Sequence, residues 1–152
     1  MTSKIFKSIL TVAASILLIT LTVMIGVLYD YFGNVQESQL GEQLNLAAAA
    51  VTESGEDYLK NAKSDRYRLT WVDKDGTVLY DTATDAAKMP NHADRQEIKQ
   101  AFNAGYGISR RYSSTLTEKT VYRAKLMADG TVLRISTSYA AVWSLVIGML
   151  QP

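Results

Sequence analysis

The stretch from Tyr80 to Arg95 holds the most chemically versatile side chains of this 152-residue chain, and it reads YDTATDAAKMPNHADR. Its candidate functional groups are Asp81, Asn91, His92, Asp94 and Arg95. A polar connection of this length exceeds the usual ~4–6 residues, and such loops carry function disproportionately often. We therefore predict that Asp81, His92 and Arg95 line one wall of a ligand pocket. The alternative is a structural loop, in which Asn91 caps a helix, His92 makes a loop hydrogen bond and Arg95 pairs with Asp81 or Asp94.

Arginines on three predicted strands form the opposite wall if the strands align. Alternation places Arg110 and Tyr112 on one face of a strand, Arg123 on a face of the next, and Arg134 on a face of the last. If these faces coincide, the three guanidinium groups meet and favour a carboxylate or phosphate ligand. The alternative is a solvated face on which the arginines pair with acids. The predicted signal is thus an unknown small molecule, anionic if the arginines converge, or a protein.

Residue content and spacing exclude several other chemistries. The chain has no cysteine and one histidine, which excludes disulfides, thiolate metal sites and histidine-rich metal clusters. The segment Asp73-x-Asp75-Gly76 lacks the spacing of an EF-hand, whose twelfth position would be Thr84. No serine stands in a nucleophile-elbow setting, and no glycine loop is spaced to hold a phosphate. We predict no catalytic residue, metal or cofactor, and a net charge of +1 gives no case for a nucleic-acid partner.

The elements that position these residues follow from their hydrophobic periodicity. Period-two patterns predict five strands, over 67–73, 77–81, 108–113, 119–126 and 131–137. Asp-Gly turns at 75–76 and 129–130 join the first two and the last two strands as hairpins. A short helix over 93–104 is predicted to begin after Asn91 and to end at Gly105. The order of elements predicts an α+β fold, with a five-stranded antiparallel sheet and a long N-terminal helix across one face.

A longer helix precedes the sheet, from Asn34 to about Asn61. Its apolar stripe recurs at helical spacing and consists of Leu40, Leu44, Ala47 and Val51. This stripe is a candidate seam against a second copy of the chain. The alternative is that the stripe packs on the sheet of its own domain.

The N-terminal segment is predicted to be a membrane anchor. Residues 8–28 contain no charge, and a helix of that length covers about 31 Å, enough for the hydrocarbon core of a bilayer. A cleaved signal peptide is the rival interpretation, but no small-x-small cleavage site follows Leu28. Lys4 and Lys7 precede the segment and the acids follow it, so we predict a cytoplasmic N-terminus and an extracytoplasmic remainder in the cell membrane.

The last residues read AAVWSLVIGML before Gln151 and Pro152, which predicts the start of a second transmembrane helix. A buried terminal strand or amphipathic helix is the alternative. The predicted domains are a cytoplasmic N-terminus (1–7), a transmembrane helix (8–28), a stalk helix continuous with it (29–61), an extracytoplasmic sensor domain (62–139) and the start of the second span (140–152).

Four stretches together carry a family resemblance: LTWVDKDGTVL at 69–79, NHADR at 91–95, RYSSTLTEK at 111–119 and the strands from 122 to 134. They resemble the extracytoplasmic sensor region of bacterial membrane sensor histidine kinases of the phosphate-regulon type. That resemblance implies a PAS/Cache-like fold between two transmembrane helices, and a homodimeric parent protein. The chain lacks the phosphoacceptor box and the ATP-binding glycine boxes, so kinase activity is implied for the parent and not for these residues.

The sequence therefore predicts the signal-sensing input module of a two-component system, which transmits a ligand or envelope signal across the membrane. The alternatives are a self-contained membrane-tethered binding or scaffold module, and the sensor of a chemoreceptor or cyclase. The reading frame beyond Pro152 distinguishes them.

Overall fold

The computed structural model describes residues 2–62, 64, 66–113 and 118–138; the backbone of Tyr112 is described, but its side chain is not. In chain order the elements are α1 (Thr2–Ser54), α2 (Glu56–Asn61), β1 (Arg68–Val72), β2 (Val78–Asp81), a 3-10 turn (Ala86–Lys88), α3 (Gln96–Ala104), β3 (Tyr106–Ser113), β4 (Glu118–Leu126) and β5 (Val132–Ser138). The predicted second span, over 140–152, lies outside the described residues. The chain divides into two compact units, Met1–Ser38 and Gln39–Pro152.

The first unit consists of the apolar part of α1. This helix is long and apolar enough to cross a membrane, a property that membrane anchors share with signal sequences. Its large apolar side chains are exposed, as at Leu17 (68%). Its hydroxyl groups bond to helix carbonyls four residues earlier, as Thr11 Oγ1 does to Lys7 O at 2.9 Å and Thr20 Oγ1 to Ile16 O at 2.9 Å. These polar groups therefore need no partner from the solvent, as a hydrocarbon environment requires.

The second unit is built on a five-stranded antiparallel sheet in the order β2-β1-β5-β4-β3. Both predicted hairpin turns form, with glycine at positive φ at Gly76 (88°) and Gly130 (85°). In each turn the preceding aspartate accepts a backbone N–H two residues on, from Thr77 at 2.8 Å and from Thr131 at 2.9 Å. The predicted α+β fold, with a five-stranded antiparallel sheet and a long N-terminal helix packed on it, is confirmed.

The α1 face of the sheet is the larger apolar core, and it decides the role of the helical stripe. The four stripe residues, Leu40, Leu44, Ala47 and Val51, are only 2–5% exposed. They belong to one buried cluster with sheet residues such as Leu69, Leu133 and Ile135. Side chains so deeply buried have no surface to offer a second copy, so the predicted dimer seam is wrong and the alternative, packing on the chain's own sheet, is correct.

The opposite face is covered by α3, which packs Ile98 and Ala101 on Val72, Ala124 and Val132. The helix ends as predicted, with Gly105 at φ 83°.

Helix α3 begins at Gln96, three residues later than predicted, and Asn91 does not cap it. Asn91 Oδ1 instead accepts the Ala93 N–H at 2.8 Å, and Asn91 Nδ2 donates to Asp75 O at 2.9 Å. Asn91 is therefore engaged by the β1–β2 turn, where the His92 N–H also bonds to Gly76 O at 2.7 Å.

Candidate functional site

The register of the sheet separates the three arginines predicted to converge. Residues directly opposite each other on neighbouring strands share a face. Arg123 lies opposite Ile135, a member of the α1-side core, whereas Arg134 lies opposite Ala124 and Thr70 on the α3 side. The predicted convergence is therefore wrong. In the register of β4 and β5, the residue opposite Arg134 is Ala124, the neighbour of Arg123, so Arg123 and Arg134 lie on opposite faces of the sheet.

Arg110 and Arg123 belong to the α1 side of the sheet. Arg110 pairs with the buried core residue Val121 across β3 and β4, and its own side chain is exposed. The guanidinium of Arg123 lies against the α1 backbone at Gly41, where an added Cβ would overlap its Nη1. Tyr112 pairs with Lys119 in the register of β3 and β4, and its side chain is outside the described part of the chain.

The α3 side instead carries a network of ionic side chains, which we call the ionic cluster. Its members are Arg68, Asp81, Glu97, Arg111 and Arg134, joined through Thr70 and flanked by His92. Asp81, His92 and Arg134 were predicted as site residues, while Arg68, Thr70, Glu97 and Arg111 were missed. Within the described residues, no three His, Cys, Asp or Glu side chains come together to hold a metal ion.

Asp81 anchors one end of the cluster. Its carboxylate accepts Arg68 Nε at 2.8 and 2.9 Å and the Thr70 hydroxyl at 2.7 Å. It also accepts the backbone N–H groups of Ala83 and Thr84, each at 2.9 Å. Burial alone would raise the pKa of Asp81, but Arg68, Thr70 and the Ala83 N–H together hold it below its ordinary value. The predicted pairing of Asp81 with Arg95 does not occur, since Arg68 holds this carboxylate.

Glu97 anchors the other end, on the first turn of α3, where it is fully buried. Arg111 grips it with two bonds, Nη1 to Oε2 at 2.7 Å and Nη2 to Oε1 at 2.8 Å. Burial raises the pKa of Glu97, but the bonds from Arg111, its own backbone N–H and the charge of Arg134 bring it below the ordinary value. Glu97 is therefore an ionised carboxylate inside the protein.

Arg134 lies between these two anchors and is 4% exposed. Its Nη2 donates to Thr70 Oγ1 at 2.9 Å, and its Nη1 makes a longer contact of 3.4 Å to Glu97 Oε1. Its Nε is buried and has no hydrogen-bond partner among the described residues. The Tyr122 ring lies 5.2 Å from the Arg134 guanidinium and 4.1 Å from that of Arg111, so it faces both cations.

His92 is 2% exposed and lies in the loop that covers this face beside α3. Its Nδ1 is 2.8 Å from the Pro90 carbonyl oxygen, which can only accept, so Nδ1 carries the proton. Burial lowers the pKa of His92, and the positive charges of Arg134 and Arg95 lower it further. His92 therefore stays neutral and brings no counter-charge to Arg134.

Arg95 and Asp94 contribute less than predicted. Arg95 immediately precedes α3, and its side chain makes no capping hydrogen bond to the helix. Asp94 is exposed and pairs with Lys99 at 2.8 Å, so it does not bind Arg95. Of the predicted loop residues, Asp81 belongs to the ionic cluster, while His92 is buried nearby and feels the charges of Arg134 and Arg95.

Two sequence signals would have found the missed residues. Glu97 precedes Ile98 and stands four residues before Ala101, so an acid interrupts the apolar face of α3. Arg111 alternates with Arg110 and therefore faces the opposite side of β3. An adjacent pair of arginines on one strand always places one on each face.

Comparison with known proteins gives a distant likeness in fold. No family model and no curated protein matches the chain. The Bacillus subtilis YkuI protein, which has an EAL domain and was solved with its substrate c-di-GMP and calcium, is 16% identical with a TM-score of 0.49. The match covers 67% of this chain and 32% of that one, so the chain spans about a third of YkuI. A C-terminal domain from Streptococcus mutans is also 16% identical, with a TM-score of 0.37 and coverage of 62% and 89%.

Proposed function

We propose that the chain is the extracytoplasmic signal-sensing input module of a two-component sensor histidine kinase, anchored in the cell membrane by α1. The observation that carries this proposal is that one helix is both the candidate membrane anchor and part of the core of the sheet domain. Helix α1 contains the apolar stretch and also supplies Leu40, Leu44 and Val51 to the core under the sheet. Packed cores change between discrete arrangements, so a rearranged sheet displaces the helix packed on it.

The resemblance of the sequence to phosphate-regulon-type sensors supports the same function. It implies a kinase core in the parent protein and a homodimer. Because the stripe is taken up by the core, a dimer contact would use other side chains, and Leu46 on α1 is a large apolar one that is 65% exposed.

Membrane topology is tested with single cysteines, since the chain has none of its own. Ala128 lies in the exposed β4–β5 turn. In intact cells, a membrane-impermeant maleimide should label Ala128→Cys, whereas Thr2→Cys should be labelled only after lysis. The reverse pattern, or labelling of both variants in intact cells, would contradict the proposed orientation.

The signalling role is tested in the parent protein. We expect the reading frame beyond Pro152 to encode a second span and a phosphoacceptor histidine segment. Autophosphorylation in membrane vesicles should change with Glu97→Gln, in the ionic cluster, and stay unchanged with Glu56→Gln, an exposed partner of Lys60. A stop codon at that point would favour a tethered binding or scaffold module, and a chemoreceptor or cyclase segment would assign a different output.

A further inference from the structure

The ionic cluster contains three arginines and two carboxylates. Both carboxylates and Arg134 are buried, whereas Arg68 and Arg111 are partly exposed. Asp81 is bidentate to Arg68 Nε, and Glu97 is bidentate to Arg111. Within each pair, the carboxylate and the guanidinium neutralise each other. Arg134 is the remaining cation, and within the described part of the chain its one contact to a carboxylate is the 3.4 Å approach to Glu97, which Arg111 already holds.

The hydrogen-bond inventory points to the same side chain. A guanidinium has five N–H donors, and buried donors are almost always paired. Nη2 of Arg134 has the Thr70 hydroxyl and Nη1 has the long Glu97 contact, but the buried Nε has no acceptor. The cluster therefore lacks one acceptor and one negative charge at the same place.

None of the neighbours described around Arg134 supplies what is missing. His92 is neutral, and its Nδ1 proton is engaged by Pro90 O. Asp81 is saturated by Arg68, Thr70 and two backbone N–H groups. Tyr122 offers its ring to the guanidinium, which does not neutralise it.

We propose that this site binds a small carboxylate that accepts the Arg134 Nε–H and neutralises its charge. A carboxylate carries one negative charge, matching the single surplus cation, whereas a phosphate group carries about −1.5 to −2 at neutral pH. The cluster reaches solvent at its two ends, at Arg111 and at Arg68, whose side chains are 27% and 14% exposed. This inference rests on the proposed function, for which it names the class of signal.

The test is thermal unfolding and calorimetric titration of the full chain in lipid nanodiscs at pH 7. Sodium acetate should raise the midpoint by about 4 °C or more near saturation, relative to sodium chloride at equal ionic strength. Sodium phosphate should give a smaller rise. The absence of an acetate-specific rise, or a larger rise with phosphate, would overturn the assignment.

Variants localise the effect. Arg134→Met removes the surplus cation and should abolish the acetate response. Arg110→Met, on the opposite side of the sheet, should retain it. If Arg134→Met does not fold, Arg134→Lys keeps the charge but removes the Nε donor, and acetate affinity should fall at least about tenfold, the equivalent of one good hydrogen bond. Unchanged affinity in the folded Arg134 variant would overturn the site.

The experiments distinguish a failure of the carboxylate-binding proposal from a failure of the proposed sensor function. The titration uses the chain without a kinase core, so acetate binding without any effect on autophosphorylation of the parent would contradict the sensor function and leave the site intact. Suppose instead that autophosphorylation of the parent changes with Glu97→Gln but the chain does not bind carboxylates. That result would support the sensor function and overturn the assignment of a carboxylate ligand.

Discussion

The two faces of one sheet are buried by different physical means. On the α1 side, Leu44, Leu133 and Ile135 form a core of aliphatic contacts. On the α3 side, an apolar patch around Ile98 borders the ionic cluster, in which Glu97 is as fully buried as the leucines opposite. Aliphatic packing is undirected, whereas each buried charge depends on particular partners. The α1 side therefore supplies stability that many sequences would match, whereas the stability of the α3 side depends on particular charged partners.

The largest expected effect comes from removing one charge of the ionic cluster. Glu97→Gln keeps the shape of the side chain but leaves Arg111 and Arg134 facing a neutral amide. Breaking a buried ion pair on one side costs about 3–5 kcal/mol. Denaturant unfolding of the full chain in detergent should show this loss. Glu56→Gln removes an exposed acid as the matched control, and a loss no larger than that of the control would show the cluster to be dispensable.

The α1 side should lose somewhat less from a single truncation. Leu44→Ala removes a side chain that is 2% exposed and should cost about 2–5 kcal/mol, because the cavity closes only in part. The control is Leu46→Ala, two residues along the same helix and 65% exposed, which should change little. The loss in unfolding free energy should not depend on protein concentration. A dependence on concentration would indicate that the stripe contacts a second copy of the chain.

A smaller effect is expected where α3 approaches β3 most closely. A Cβ at Gly107 would overlap the backbone carbonyl of Glu97, so Gly107→Ala should push α3 away from the sheet. Overpacking of this kind costs about 1–3 kcal/mol, measured as before. Gly33→Ala has open space around the added methyl and serves as control. If both variants are equally stable, α3 is not held against β3 as the structure shows.

The smallest effect is a change in pH dependence. The folded state lowers the pKa of His92, so the unfolded chain binds its proton more readily. The stability due to neutral His92 is present in full above the unfolded pKa of about 6.5 and is lost as the pH falls towards the lower folded value. His92→Gln should flatten the stability curve just below pH 6.5, and an unchanged slope would show that His92 is not the titrating group.

The sequence was sufficient for the elements that depend on neighbours along the chain. The Asp-Gly turns, the αL glycine at Gly105 and the helical stripe from Leu40 to Val51 all follow from local chemistry or periodicity. The partner of that stripe was not decidable locally, because an apolar face packs equally well on a sheet or on a second helix.

The candidate site was only partly predictable, because alternation tells which residues share a face and not which face that is. Long-range pairing of β4 with β5 decides that Arg134 lies opposite Ala124, and no local pattern encodes this register. Arg68 was missed because its partner Asp81 is thirteen residues away, on a neighbouring strand. Glu97 was missed because an acid on a short helix is ordinarily solvated.

Strand β4 belongs to both faces at once. Two of its residues contact α1: Arg123 lies on the backbone at Gly41, and Lys125 Nζ donates to Asn45 Oδ1 at 2.8 Å, one helical turn further on. Its residue Tyr122 carries the ring that faces Arg111 and Arg134. The strand therefore connects the helix on one face of the sheet to the ionic cluster on the other. A displacement of either guanidinium and a displacement of α1 would therefore act on the same strand of nine residues.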